Sequence, residues 1–165
     1  MTVSAHDVAR ELRRRLGSRV GDTKIHKLLY YCQGWHLVRH DAPIFEERVE
    51  GWPDGPVIAD VWHAERHDHR IPEPSPLDEN ALDTIAFVVA RYGDITGGDL
   101  IEITHSEAPW DSVRDQARRR ENPVIPAETL VAFFSKIDDL YSLRSPQMTD
   151  QRRRIIEEAK ARANR

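Results

Sequence analysis

Four side chains capable of chemistry stand in a row at Thr104, His105, Ser106 and Glu107, with Pro109 and Trp110 just beyond. A serine hydrolase needs a hydroxyl, a base within hydrogen-bond reach of it, and a third group that orients the base. Neighbouring residues on a helix diverge by about 100°, so His105 does not face Ser106 there. The same residues suit a helix start better. Ser106 or Glu107 can accept from the orphan N–H groups of a following helix, and Glu107 complements its positive end. Pro109 presets the first turn, and Trp110 can bury its indole. This cap-and-anchor reading accounts for more of the stretch and leaves it without a catalytic residue. His105→Ala is then expected to change stability rather than any chemistry.

The histidines call for a metal test. His63 and His67 stand four residues apart, as do His36 and His40, and His69 is close by. Two imidazoles at that spacing on one helix face converge on one ion. In "HAERH", however, the glutamate holds the third place, so the HExxH pattern is absent. No cysteine pair or further carboxylate completes a site. The expectation is solvated or half-buried histidines with no metal and no other cofactor. A metal-dependent hydrolase using His63, His67 or His105 stands as the enzymatic alternative. "YGDITGGDL" has glycines but neither the GxGxxG nor the GxxxxGK spacing of a phosphate cradle.

The elements that must position these residues read as mainly helical. Apolar residues recur at helical spacing over 5–16 (Val8, Leu12, Leu16; Ser4 as N-cap, Gly17 as stop) and over 23–39 (Ile25, Leu28, Leu29, Cys32, Trp35, His36; Asp22 as N-cap). The second helix has the widest apolar face and is expected to be central. Residues 44–52 alternate loosely, which predicts a short β hairpin or strand pair there. "WPDGP" is a turn, after which Pro56 is expected to open a helix ending near Asp68. "IPEPSPL" is an extended loop. Further helices are predicted over 79–92 (Leu82, Ile85, Ala86, Val88, Val89, Tyr92 inward; Asp78 capping), after Thr96, over 109–120, and over 126–143 (Leu130, Phe133, Phe134, Ile137, Leu140, Tyr141 inward). A basic helix over 150–163 is expected to be peripheral. No repeat or linker divides the chain, so residues 1–165 read as one compact multi-helix domain.

Composition narrows the class. The chain has 165 residues, net charge −4 and a single cysteine, Cys32. A lone cysteine in an apolar stretch suits a reducing compartment, and no apolar run nears the ~18 residues of a membrane span. A cytoplasmic protein without signal peptide is expected. Charge is unevenly spread: +5 over residues 1–40, −13 over 41–111 and +4 over 112–165. Either the segments neutralise one another in the fold, or an acidic face meets a basic partner. Nucleic acid is a poor partner for that middle segment. The basic ends leave a DNA-binding regulator as a minor alternative, although glutamates interleave them and no helix-turn-helix is evident.

Three motifs in order add a resemblance. "KLLYYCQGWHLVRHDAPIFEERVEGWPDGPVIADVW", followed some forty residues later by "THSEAPW", resembles the Panacea domain, the family of SocA-like antitoxins that includes phage-associated GepA-like proteins. Lys27, Leu28, Tyr30, Tyr31 and Trp35 match its helix motif, and Ile44 and Phe45 a small apolar basin. Trp52, Gly55, Pro56 and Val57 match a turn motif. Thr104, His105, Glu107, Pro109 and Trp110 match the last one. The similarity spans about residues 23–135. Two departures stand out: Gly51 replaces a usual alanine, and Asp54 a common aromatic. The resemblance implies a non-enzymatic antitoxin of a type II toxin–antitoxin or phage-defence pair, which neutralises a cognate toxin by direct contact. A family member described as a proteolytic adaptor makes delivery of the toxin to a cellular protease the alternative. The motif residues are expected to keep the fold. Partner contact is expected at exposed residues of the turn and the acidic helix after it, Trp52, Asp54, Asp60 and Glu65.

Overall fold

The computed structural model describes residues 3–68, 70–144 and 161. His69 and, apart from Ala161, the basic helix expected over 150–163 lie outside the described residues.

Helix α1 (Ala5–Leu16) has the expected bounds. Ser4 Oγ accepts from the His6 N–H, while Glu47 Oε1, far along the chain, accepts from the Ala5 N–H and from Ser4 Oγ. The chain reverses after it through Gly17, whose φ of +97° suits a residue without Cβ. Helix α2 (Asp22–His40) starts one residue earlier than expected. Gly21 is its N-cap, and Asp22 turns its carboxylate to Arg66 (2.8 Å) and Arg13 (3.4 Å) instead of capping.

Helix α2 is the spine of the fold. Every residue from Ile25 to His36 is buried, because the helix is packed at once by α1, by the helices Glu79–Tyr92, Gly97–Ser106 and Ala127–Arg144, and by a β strand. A helix enclosed on all sides must satisfy its polar side chains internally. Gln33 does so by donating to the Phe45 carbonyl and accepting from the Ile44 N–H, both at 2.9 Å. This pair fastens the Ile44–Phe45 basin to the spine. His36 meets Thr84 Oγ1 at 2.8 Å, and Trp35 Nε1 donates to the Tyr92 hydroxyl at 2.9 Å.

The hairpin confirms the expected mainly α fold with a short β element and corrects its position. Strand β1 (Val49–Trp52) lies in the predicted window, but its antiparallel partner β2 (Gly55–Ile58) lies beyond the turn. Pro56 therefore opens no helix; it sits in β2 opposite Gly51. A two-stranded sheet tolerates this, since a proline facing away from the ladder forfeits no strand bond. Residues 123–125 cover the free edge of β1, with Gly51 N–H donating to Pro123 O and Ile125 N–H to Val49 O, each at 2.8 Å. The next helix is pushed back to α3 (Ala59–His63), which continues as a π-helical turn, Ala64–Asp68.

Helix α4 (Glu79–Tyr92) begins at Asp78, whose carboxylate accepts from the Ala81 N–H. Its buried stripe is Ala81, Thr84, Ile85, Val88 and Tyr92; Ala86 falls outside that stripe and is exposed, contrary to expectation. Helix α5 (Gly97–Ser106) is capped by Thr96 as predicted. The single helix expected over 109–120 is broken into α6 (Ala108–Asp111) and α7 (Arg114–Arg118). Val113 between them leaves helical geometry, and its side chain fills the space above Gly51. Helix α8 (Ala127–Arg144) drives Leu130 and Phe134 into the core, but Leu140, two turns on, is 58% exposed rather than inward. The side chain of Tyr141 lies outside the described residues.

Candidate functional site

Three distant segments converge on the hairpin turn. From α2, the almost fully buried Lys27 donates its Nζ to the Pro56 carbonyl at 3.1 Å. From α5, His105 Nε2 lies 3.0 Å from the Pro53 carbonyl. A carbonyl can only accept, so Nε2 carries the ring proton. From α6, Trp110 Nε1 donates to the Trp52 carbonyl at 2.8 Å. The His105 ring stacks on Trp110, with centroids 3.9 Å apart and planes at 25°. Gly55, at φ +110°, closes the turn directly over α2 and α5. A Cβ there would lie 2.7 Å from Lys27 Cε and 2.9 Å from Thr104 Oγ1. Thr104 is itself buried and donates to the Leu100 carbonyl at 2.8 Å.

Glu107 forms a second knot. Its Oε1 accepts from the Tyr31 hydroxyl at 3.0 Å and the Tyr30 hydroxyl at 3.2 Å. Burial pushes the carboxyl up to about 7, against the pull of the two phenols. Glu107 occupies the N-cap position of α6 but makes no side-chain cap bond. Ser106 does not cap either, since its hydroxyl donates back to the Ile103 carbonyl at 2.6 Å. The expected capping role gives way because two buried phenol hydroxyls of α2 need an acceptor, and a four-residue helix offers its cap little in return. The anchoring role of Trp110 holds: the residue is 1% exposed. Ser106 and His105 thus meet different carbonyls, and each residue of the row 104–107 makes a hydrogen bond within the fold.

Beside the turn lies a cleft of about 310 Å³ between α2, the hairpin and α3, lined among others by His26, Lys27, Trp52, Asp54, Trp62 and Arg120. Fully buried His26 accepts the Ile58 N–H at Nδ1 (3.3 Å), so its proton sits on Nε2, which has no hydrogen-bond partner among the described residues. Burial drives this imidazole down to about 3, so it is neutral at physiological pH. Burial also lowers Lys27, to about 8, with the Asp54 carboxylate pulling the other way.

The residues expected to meet a partner are placed as follows. Trp52 is half-buried and Asp54 exposed, both on the turn. Asp60 is exposed on α3, and Glu65 is half-buried and held by Arg13 of α1 at 2.9 Å and 3.1 Å. The turn brings Trp52 and Asp54 together at the cleft; Asp60 instead borders a shallow depression with Glu46 and Glu47. His63 and His67 are exposed, with ring centroids 5.9 Å apart, and His36 is engaged by Thr84. Among the described residues no group of three or more His, Cys, Asp or Glu side chains could hold a metal ion. Sequence reasoning missed His26, Trp62 and Arg120 as cleft residues. The available signal was two adjacent polar residues, His26 and Lys27, at the start of an otherwise apolar helix.

The family model described as "Antitoxin SocA-like, Panacea domain" matches residues 25–111, more than half the chain. The matched region begins at the α2 spine, contains the hairpin and ends one residue after Trp110, so it holds every contact that ties the turn down. No curated protein and no solved structure matches the chain significantly. Among the described residues no helix is long and apolar enough to cross a membrane.

Proposed function

Because this chain belongs to the Panacea domain family of SocA-like antitoxins, we propose that it is an antitoxin that neutralises a cognate toxin by direct protein–protein contact, without catalysis of its own. The observation that carries this reading, beyond the family, is the clamped turn. The carbonyls of Trp52, Pro53 and Pro56 each take a donor from another element, while the Asp54 side chain stays exposed. A loop held in one conformation loses little entropy on binding, so such a turn is suited to present side chains to a partner. Asp54 and Asp60, with Trp52 between cleft and solvent, are the contact residues we assign. Their charge suits a toxin whose own working surface is basic, as RNA- or nucleotide-binding surfaces are.

Co-expression with the neighbouring open reading frame tests the proposal. That neighbour should be toxic alone, harmless with this chain, and recovered with it on purification. Asp54→Lys combined with Asp60→Lys should abolish rescue and co-purification in a chain that still folds, and Asp60→Lys alone, whose side chain is exposed, should weaken both while leaving the melting temperature unchanged. A neighbour that is harmless alone and does not co-purify refutes the reading.

A further inference from the structure

The cleft beside the turn contains polar groups that the fold itself leaves unanswered. His26 is fully buried, yet among the described residues its Nε2–H has no acceptor. An orphaned buried donor forfeits its hydration with nothing in exchange, and folds rarely leave one without reason. Lys27 is 1% exposed, and among the described residues its ammonium has one hydrogen-bond acceptor, the Pro56 carbonyl. No carboxylate lies within ion-pair distance of it in the described structure. A buried ammonium with spare donors and a buried imidazole with a spare donor therefore line one cavity.

The surroundings narrow what could answer them. Trp52 and Trp62 meet edge to face, 5.4 Å apart, and Val57 adds apolar surface. Arg66 lies over the Trp62 ring at 3.3 Å but is paired with Asp22, so this couple is neutral. The charges left facing the cavity are Lys27, Arg120 and Asp54, a net single positive charge. One anionic charge balances that set, whereas a phosphate dianion would over-fill it and meet Asp54 at the mouth.

We propose that this cleft is a binding site for a monocarboxylate carried on an apolar or aromatic stem, its carboxylate accepting from Lys27 Nζ and His26 Nε2 and its stem lying on Trp52 and Trp62. The Arg120 guanidinium, at the rim, adds a second positive charge. The site goes beyond the antitoxin reading: it needs no toxin, and its occupant is a small molecule.

The test is a titration of the purified full chain with benzoate, followed by the indole N–H resonances of Trp52 and Trp62 and the ring resonances of His26. Sodium chloride at equal ionic strength sets the baseline. Benzoate should give saturable shifts at these three residues. Benzyl alcohol, which lacks the charge, and inorganic phosphate, which carries too much, should each bind at least about tenfold more weakly. Lys27→Met should weaken benzoate at least about tenfold, and Arg120→Ala, which touches no core contact, should weaken it less. If Lys27→Met does not fold, Arg120→Ala and Trp62→Leu decide the matter. The proposal is overturned if benzoate does no more than sodium chloride, if phosphate binds more tightly than benzoate, or if none of these substitutions changes the affinity. The titration uses the chain alone, so its failure leaves the antitoxin proposal standing, and a failed co-expression leaves the cleft proposal standing.

Discussion

At the scale of single residues, His105 and Glu107 carry the contrast between a catalytic and a structural reading. His105 spends its proton on the Pro53 carbonyl and its ring face on Trp110. His105→Ala removes a hydrogen bond worth about 1 kcal/mol and a stacked pair worth about 1 kcal/mol more. Its melting temperature should fall accordingly in thermal denaturation. An unchanged melting temperature together with a lost activity would restore the enzymatic alternative. Glu107 gives a sharper test because its sign is unusual for a carboxylate. Burial raises it from its ordinary value of 4.5 to about 7, so the folded state holds a proton that the unfolded chain releases. The stability this contributes is complete below pH 4.5 and is lost as pH rises through 7. Glu107→Gln cannot titrate. Between pH 4.5 and 7.5 the stability difference between variant and parent should therefore move by about 2–3 kcal/mol in the variant's favour, as read by urea denaturation.

At the scale of elements, two glycines fix how helices and hairpin approach. A Cβ on Gly34, in mid α2, would fall inside the Phe134 ring of α8. Gly34→Ala should therefore cost about 3 kcal/mol by overpacking. Phe134→Leu placed on top should recover part of that loss, and a double-mutant cycle measures the coupling. At Gly55 the turn is constrained by a positive φ and by contacts with Lys27 and Thr104. Gly55→Ala should cost more than about 2 kcal/mol and loosen Pro53 from His105. Helix bounds were legible in the sequence wherever caps and apolar periodicity agreed, as at Ser4–Leu16 and Asp78–Tyr92, and at Thr96 the cap gave the start of α5 but not its end. The hairpin was half legible: "WPDG" announced the reversal, but Pro56 reads equally well as a helix start until the paired edge beyond Gly51 is known. The break between α6 and α7 was not legible, because it answers to Val113 filling the space that Gly51 leaves above β1. Among the site residues, the three motifs marked which segments matter. They could not show that Glu107 turns to Tyr30 and Tyr31, since that contact joins residues 76 and 77 positions apart and has no local pattern.

At the scale of the whole molecule, the segmental charge imbalance is partly consumed inside the fold. Arg13 of the basic first segment holds Glu65 of the acidic middle, and Arg39 holds Asp83. Asp54 and Asp60 remain exposed, as the proposed partner contact requires. The pH response follows from groups that the packing holds away from their free states. His26 is lowered to about 3 by burial, and His36 to about 4 by burial with His40 alongside. For both, the stabilisation is complete above the free value of 6.5 and is lost as pH falls toward the folded value. Glu107 works in the opposite sense between 4.5 and 7. Between pH 6.5 and 7 Glu107 acts alone, and stability should fall slightly as pH rises. Between 4.5 and 6.5 the two histidines outweigh it, and His6 and His105, also lowered by burial, act in the same sense, so stability should fall on acidification by at least about 1.4 kcal/mol per pH unit. Below 4.5 Glu107 drops out and Glu11, held down to about 2 by its Arg14 and Arg15 partners, begins to lose its stabilising charge, so the slope should steepen. Lys27, lowered to about 8, adds a separate rise between pH 8 and 10.5. Urea denaturation across this range should therefore give a local maximum near pH 6.5 with a steepening acid limb. His36→Gln should remove one proton from that limb, leaving a shallower profile between 4.5 and 6.5. An unchanged slope in the variant would mean that His36 is not held neutral by the fold.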